Sequence, residues 1–162
     1  MEKSGVTRDS LIGLAGELGI RKIGFLSPAQ WRNAGDLPPG TSPREVWPPV
    51  KGIVVLGIPD APVHALPANK EFGGWDVRNS LLDTAAYRLS LYLNREGYPS
   101  VNIPADAGGK QGADRPTVPV FSHHRAARYA GLVPGPEDPE KSSWRFASVF
   151  TALDFEQGKP AS

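Results

Sequence analysis

The nine residues Lys51-Gly-Ile-Val-Val-Leu-Gly-Ile-Pro59 constrain the fold of this chain more than any other stretch. Ile53, Val54, Val55 and Leu56 follow one another without the polar alternation of a strand that has one face in water. They read as a central strand covered on both faces. Ile53, Val54 and Val55 are β-branched, which suits a pleated surface. Covering such a strand takes helices packed on a sheet, an α/β arrangement. Pro59 has no backbone donor and ends the run. The loop-like stretch that follows, Asp60 to Gly74, leaves the strand's C-terminal end, where layered α/β proteins usually place their ligands.

The rest of the chain supplies the covering elements. From Asp76 to Glu96, Leu82, Ala86, Leu89 and Leu93 fall at i, i+4, i+7 and i+11, Leu81, Ala85 and Tyr92 widen the stripe, and Gly97 marks the stop. This predicts a core helix. Near the start, Thr7 is placed to cap a helix carrying Leu11, Leu14, Ala15 and Leu18, with Gly19 at its end. Gly13 and Gly16 each weaken that helix by about 1 kcal/mol relative to alanine, which implies either a close neighbour or a marginal helix. Lys22 to Leu26 follows as a short strand, and Val101 and Ile103 share one face of another that Pro99 and Pro104 keep short. Ser122 is placed to cap a helix through Ala126, Ala127 and Ala130, with Gly131 as its stop. Trp144 to Leu153 alternates, with Trp144, Phe146, Ser148 and Phe150 opposite Arg145, Ala147, Val149 and Thr151, and reads as a strand.

Long connections separate these elements. Ser27 to Pro49 is proline-rich and holds Trp31 and Trp47, both of which need burial. A connection of that length in a compact domain is functional or flexible. Ala105 to Pro119 is another long loop, and Val133 to Ser143 a turn or flap. The 18 glycines and 17 prolines fall between the periodic segments, which predicts ordered loops and not a disordered chain. With 162 residues the expectation is one domain, with residues 7 to 154 as its ordered core.

Composition excludes several classes of function. A net charge of +1, from 18 basic and 17 acidic residues, gives no sign of a nucleic-acid or anionic-membrane partner. Cysteine is absent, which removes disulfides, thiolate iron-sulfur ligation, cysteine-bound zinc and cysteine nucleophiles. Neither an 18-residue apolar run nor a secretory leader is present, and the expected location is the cytoplasm.

Few residues are suited to chemistry. His123 and His124 are adjacent, so on a helix their side chains diverge, and His64 lies in a remote loop; no metal site is expected. His123, at a helix start, reads either as a polar contact to a ligand edge or as a cap or packing residue. Arg125 and Arg128 share a helix face and suit a phosphate or carboxylate, with solvated surface charge as the favoured reading. Arg145, in an otherwise apolar strand, requires a carboxylate or carbonyl partner. Asp106-Ala-Gly-Gly109 offers backbone donors to an anion, yet lacks the spacing and the strand-to-helix context of a dinucleotide loop. No Walker motif, His-Glu-x-x-His motif or Gly-x-Ser-x-Gly elbow is present.

The order of the pieces resembles the cobalamin-binding catalytic domain of epoxyqueuosine reductases and corrinoid reductive dehalogenases. The resemblance rests on Leu18-Gly19, Ile23-Gly24-Phe25, Val54-Val55-Leu56-Gly57-Ile58-Pro59, Tyr92-Leu93 and Glu96-Gly97-Tyr98. It continues through Ile103-Pro104-Ala105, Phe121-Ser122-His123, Ala126-Ala127, Ala130-Gly131-Leu132 and Arg145-Phe146-Ala147-Ser148-Val149 with Thr151. Each is short; their order over most of residues 8 to 154 carries the likeness. It implies a nitroreductase-like mixed sheet with packed helices, holding a base-off corrinoid reduced through iron-sulfur clusters of a following ferredoxin-like domain. The chain departs from that pattern. It stops where the ferredoxin part would begin, and without cysteine it holds no cluster. Val133 to Ser143 replaces the family's glycine-rich continuation, and Asp106 and Asp114 are both unconvincing matches to the catalytic acid.

The resemblance implies a cofactor pocket between the loop after Pro59, the loop Ala105 to Pro119 and the start of the His123 helix. In it Ser122 and His123 would meet the cofactor's polar edge, Arg125 or Arg128 would offset its charge, and Gly108 and Gly109 would let the backbone come close. Three readings follow: a corrinoid-binding reductase component served by a separate electron donor protein, a flavin (FMN) reductase of the nitroreductase type that dimerises, or a non-catalytic interaction domain. Loss of a neighbouring domain predicts a homodimer, with Trp31, Trp47 or Trp144 lining the buried patch.

Overall fold

The computed structural model describes residues 5–31, 39–59, 77–105, 120–133 and 144–155. In chain order the elements are helix α1 (Arg8–Glu17), strand β1 (Lys22–Leu26), a 3-10 turn (Pro28–Gln30), helix α2 (Pro43–Val46), strand β2 (Gly52–Pro59), helix α3 (Val77–Arg95), strand β3 (Ser100–Ile103), helix α4 (His123–Tyr129) and strand β4 (Trp144–Thr151). The strands form one sheet in the order β1-β2-β4-β3.

The apolar run from Ile53 to Leu56 is indeed interior, since β2 has a partner on each side. Ile23 lies opposite Leu56, and Val54 opposite Val149. The expectation of a mixed sheet is corrected, because every described pairing is antiparallel. An apolar run reports that both faces are covered, whereas the direction of the neighbours depends on the connections. β2 and β3 do run parallel to each other, joined through α3, but β4 lies between them and pairs with both.

Both faces carry a core. On one, Val54, Leu56 and Ile58 of β2 and Ala147 and Val149 of β4 meet Leu11 and Ala15 of α1 and Leu82, Ala85, Ala86, Leu89 and Leu93 of α3. On the other, Ile53, Val55, Phe146 and Phe150 meet Phe121 and the alanines Ala126 and Ala127 of α4, together with Trp31. The alternation expected for β4 holds, as does the stripe of α3 with one exception: Leu81 is exposed at 54% and lies off the stripe. The two faces of β2 thus need two helical layers, and small residues on α4 let its backbone approach the sheet.

Local chemistry explains the ends. Thr7 caps α1 in a reciprocal box, its Oγ1 accepting from Ser10 N at 3.0 Å and Ser10 Oγ accepting from Thr7 N at 3.0 Å. Gly19 closes that helix and Gly97 follows α3, with φ of 85° and 95°, where a β-carbon is disfavoured. The short α2 has no counterpart in the sequence reading. It follows Ser42, and Glu45 accepts from the Ser42 hydroxyl and from Gly40 N. The Ser42 hydroxyl first, and the backbone N–H groups of Ser42 and Gly40 next, hold the Glu45 carboxyl below its usual range.

Gly13 and Gly16 have nothing within 4 Å of where a β-carbon would stand, so of the two expectations for them a close neighbour is ruled out. Gly16→Ala should therefore stabilise the protein by about 0.5 to 1 kcal/mol, through helix propensity alone. Urea unfolding checks this, and a destabilised variant would show that the glycine serves a contact.

Candidate functional site

Because β2 and β3 run the same way, their C-terminal ends point toward the same end of the sheet, β3 finishing level with Val55 in the middle of β2, and α3 and β4 begin at that end. This is the end at which a ligand is expected from the sequence. Its best-defined feature is the way the chain is held as it leaves β3. The His123 ring, 5% exposed, places Nε2 at 2.7 Å from the Pro104 carbonyl oxygen and Nδ1 at 2.8 Å from Ser148 Oγ. A carbonyl only accepts, so Nε2 carries the proton; in the neutral imidazole Nδ1 then accepts from the Ser148 hydroxyl. One residue on, Ala105 N donates to Asp83 Oδ1 of α3 at 2.7 Å. The two residues leaving β3 are thus gripped from both sides of the sheet, by α4 and β4 on one and by α3 on the other.

Of the residues expected to meet a ligand, Ser122, His123 and Arg125 lie at the start of α4 and Arg128 in its last turn. Ser122 caps the helix, its Oγ accepting from Arg125 N at 3.2 Å. Both nitrogens of His123 are engaged inside the protein, as in the packing alternative. Arg125 and Arg128 are half-buried, and the Arg128 guanidinium lies 5.7 Å from the Tyr129 ring. His124 makes an edge contact with the Phe146 ring at 5.8 Å. Gly108 and Gly109, with Asp106, Asp114, His64 and most of the loops assigned to the pocket, lie outside the described residues. Among the described residues, no group of three or more His, Cys, Asp or Glu side chains is placed to hold a metal ion.

Arg145 is half-buried at the start of β4, and its Nη1 stands 3.5 Å from Asn79 Oδ1 of α3. That acceptor is the carbonyl oxygen of a side-chain amide, one of the two kinds of partner expected for a guanidinium in this strand. Arg78 lies close enough that burial first, and repulsion from Arg145 second, lower its affinity for a proton. Two arginines therefore share this end of the sheet. Arg78 and Asn79 escaped the sequence reading because the only local signal is a polar pair opening a helix, which is what any helix start looks like.

A second feature was equally hidden. Trp31 is 9% exposed and stacks on Phe121, ring centroids 5.0 Å apart, with Tyr129 edge-on at 5.6 Å. Its indole Nε1 is buried and has no hydrogen-bond partner among the described residues. A buried donor left unsatisfied costs about 1 to 3 kcal/mol. Trp31 thus packs beside Phe121, the residue immediately ahead of the Ser122 cap. Trp47 and Trp144 are half-buried against the same core, and Lys22 Nζ lies 4.0 Å from the Trp144 ring centroid.

No protein-family model and no curated protein sequence matches the chain. Solved structures do. A selenomethionine-labelled epoxyqueuosine reductase superposes with a TM-score of 0.64 at 17% identity, covering 96% of this chain and 48% of that one. An epoxyqueuosine reductase with a tRNA-Tyr epoxyqueuosine-modified stem loop gives the same values. The enzyme from Streptococcus thermophilus gives a TM-score of 0.59 at 15% identity, over 96% of this chain and 47% of that one. The chain spans about half the length of these structures, and at such identity the likeness is one of fold: this chain has the fold of that half of an epoxyqueuosine reductase.

Proposed function

We propose that the chain binds a flat redox cofactor, a corrinoid in the first reading, at the end of the sheet where β2 and β3 finish and α4 begins. The observation that carries this is the likeness of fold to epoxyqueuosine reductases over nearly the whole chain. The donor chemistry agrees with it. Ser122 and Arg125 at that helix start, with Arg128 in the last turn of the same helix, supply a hydroxyl and two cations. An acceptor-rich periphery with a phosphate, such as a corrinoid or FMN carries, suits that set.

In this reading Ser122 contacts the polar edge of the cofactor, and Arg125 or Arg128 offsets its negative charge. His123 acts by holding Pro104, and so fixes where the segment carrying Gly108 and Gly109 leaves the sheet. When bound, a corrinoid or flavin supplies electron transfer. In this reading the electrons come from a separate donor protein. FMN is the second reading, and with it a homodimer, which should appear as a doubled mass in light scattering at high micromolar concentration; a strictly monomeric mass overturns the dimer. If neither cofactor binds, the remaining reading is a non-catalytic interaction domain.

The test is titration with cobalamin and with FMN, each oxidised and reduced, followed by absorbance. Saturable binding of one is expected, and Arg125→Ala or Arg128→Ala should weaken it by about 1.5 to 3 kcal/mol, roughly ten to one hundred and fifty-fold in dissociation constant. No saturation below about 1 mM, a binding energy under roughly 4 kcal/mol, overturns the cofactor reading. Tight binding unchanged in both variants would keep the cofactor and move its site.

A further inference from the structure

At the opposite end of β2 lies a cleft that the cofactor reading does not use. Arg8, Phe25, Leu26, Ser27, Gln30, Lys51 and Phe155 line it. These residues come from the start of α1, the end of β1 with its 3-10 turn, the entry to β2 and the chain beyond β4. β2 is eight residues long, so the two ends of the sheet are roughly 26 Å apart at the rise of an extended strand.

The walls are fixed by packing. Phe155 is buried and meets Phe25 edge-on at 4.9 Å. Its ring lies so close over Gly52 that a β-carbon there would stand 2.6 Å from two ring carbons. The Arg8 guanidinium is held against both rings, 5.3 Å from the centroid of Phe25 and 6.0 Å from that of Phe155. Cation-π contacts of this kind orient the guanidinium, which carries five N–H donors and can serve more than one partner.

The geometry points to this cleft as a binding site for a phosphate group, either the free ion or the head of a small phosphate monoester. Charge is the first reason. Among the described residues the lining contains two cations, Arg8 and Lys51, and no carboxylate. Donor chemistry is the second. Gln30 Oε1 accepts from Ser27 N at 2.8 Å, which commits the oxygen of that amide and leaves its NH2 as a donor. Together with the Ser27 hydroxyl and the two cations, the polar groups around the cleft are suited to an anion with several acceptor oxygens. Size is the third. The cavity holds about 110 Å³, well below the roughly 300 to 1,000 Å³ of pockets that bury drug-sized ligands. A corrinoid or flavin ring does not fit, whereas a tetrahedral oxyanion does.

The experiment is a titration of the full chain with sodium phosphate at constant ionic strength, followed by the backbone amide resonances of Ser27, Gln30 and Lys51. The same titration with sodium chloride is the control, and phenyl phosphate is run in parallel. Saturable shifts confined to these residues are expected with phosphate and absent with chloride. Tighter binding of phenyl phosphate identifies a monoester as the ligand, and equal or weaker binding the free ion. Arg8→Gln should weaken binding about tenfold or more, the loss of one charged hydrogen bond. Because Arg8 also packs on two rings, the exposed Lys51→Gln is the second variant, with a loss of about two- to fivefold as for a solvent-exposed charge contact. Shifts that fail to saturate, that chloride reproduces, or that persist unchanged in Lys51→Gln overturn the site. Neither cobalamin nor FMN enters the measurement, so its failure leaves the cofactor reading untouched.

Discussion

His123→Ala should lower the stability of this protein by about 3 to 5 kcal/mol. The buried Ser148 hydroxyl loses its partner at a cost of about 1 to 3 kcal/mol, and the exposed Pro104 loses a hydrogen bond to its carbonyl oxygen worth about 1 kcal/mol. The ring also leaves a void beside Phe121, whose ring it meets edge-on at 5.5 Å. For a chain of this length the loss corresponds to a fall in Tm of roughly 10 °C. A double-mutant cycle separates the polar contribution from the void. Ser148→Ala alone should be harmful, but added to His123→Ala it should cost little, because its partner is already gone; the coupling expected is about 1 to 3 kcal/mol. A loss below about 1 kcal/mol for the single variant, or strict additivity in the cycle, would mean that the ring does not hold the chain leaving β3.

The second large effect is expected from one added methyl group. At Gly52 a β-carbon would stand 2.5 Å from the Leu153 carbonyl oxygen and 2.6 Å from Cδ2 and Cε2 of Phe155. A ring can turn aside, as Phe146 would have to at Gly57, where the nearest contact is 2.6 Å from the Phe146 ring and no backbone atom is among the closest three. A carbonyl on the chain leaving β4 cannot move without shifting the strand end. Gly52→Ala is therefore expected to cost about 3 kcal/mol, the upper part of the overpacking range, even though alanine suits a strand no worse than glycine. Equilibrium unfolding measures the loss, and Gly57→Ala is the comparison. Equal, small losses at both positions would show that the chain beyond Thr151 gives way freely.

What was legible in the sequence follows from what a one-dimensional pattern records. Periodicity records burial, so the interior position of β2, the stripe of α3 and the two faces of β4 were all readable. Direction and neighbour order were not, since Val54 faces Val149 only through a connection that the pattern does not describe. The start of α4 was readable from Ser122 and the alanines. The destination of the His123 nitrogens was not, because Ser148 and Pro104 are distant in sequence and neither is unusual in its own segment. Helix α2 was overlooked although Ser42-Pro43-Arg44-Glu45 holds a cap, a first-turn proline and a glutamate in the right places; the surrounding prolines suggested only a loop. The phosphate cleft left no trace at all, because its lining is drawn from four separate parts of the chain.

The insertion of β4 between β2 and β3 also sets a timetable for synthesis. Helix α3 and the strands on either side of it emerge early, but the parallel pair they would make stays open, with the facing edges of β2 and β3 both unpaired, until residues 144 to 151 arrive. Non-local pairing of that kind slows folding, and the waiting edges are free to pair with other chains. The sheet thus depends on β4 for its central seam, and a chain cut short of Trp144 is left with two sticky borders instead of a smaller version of the same fold.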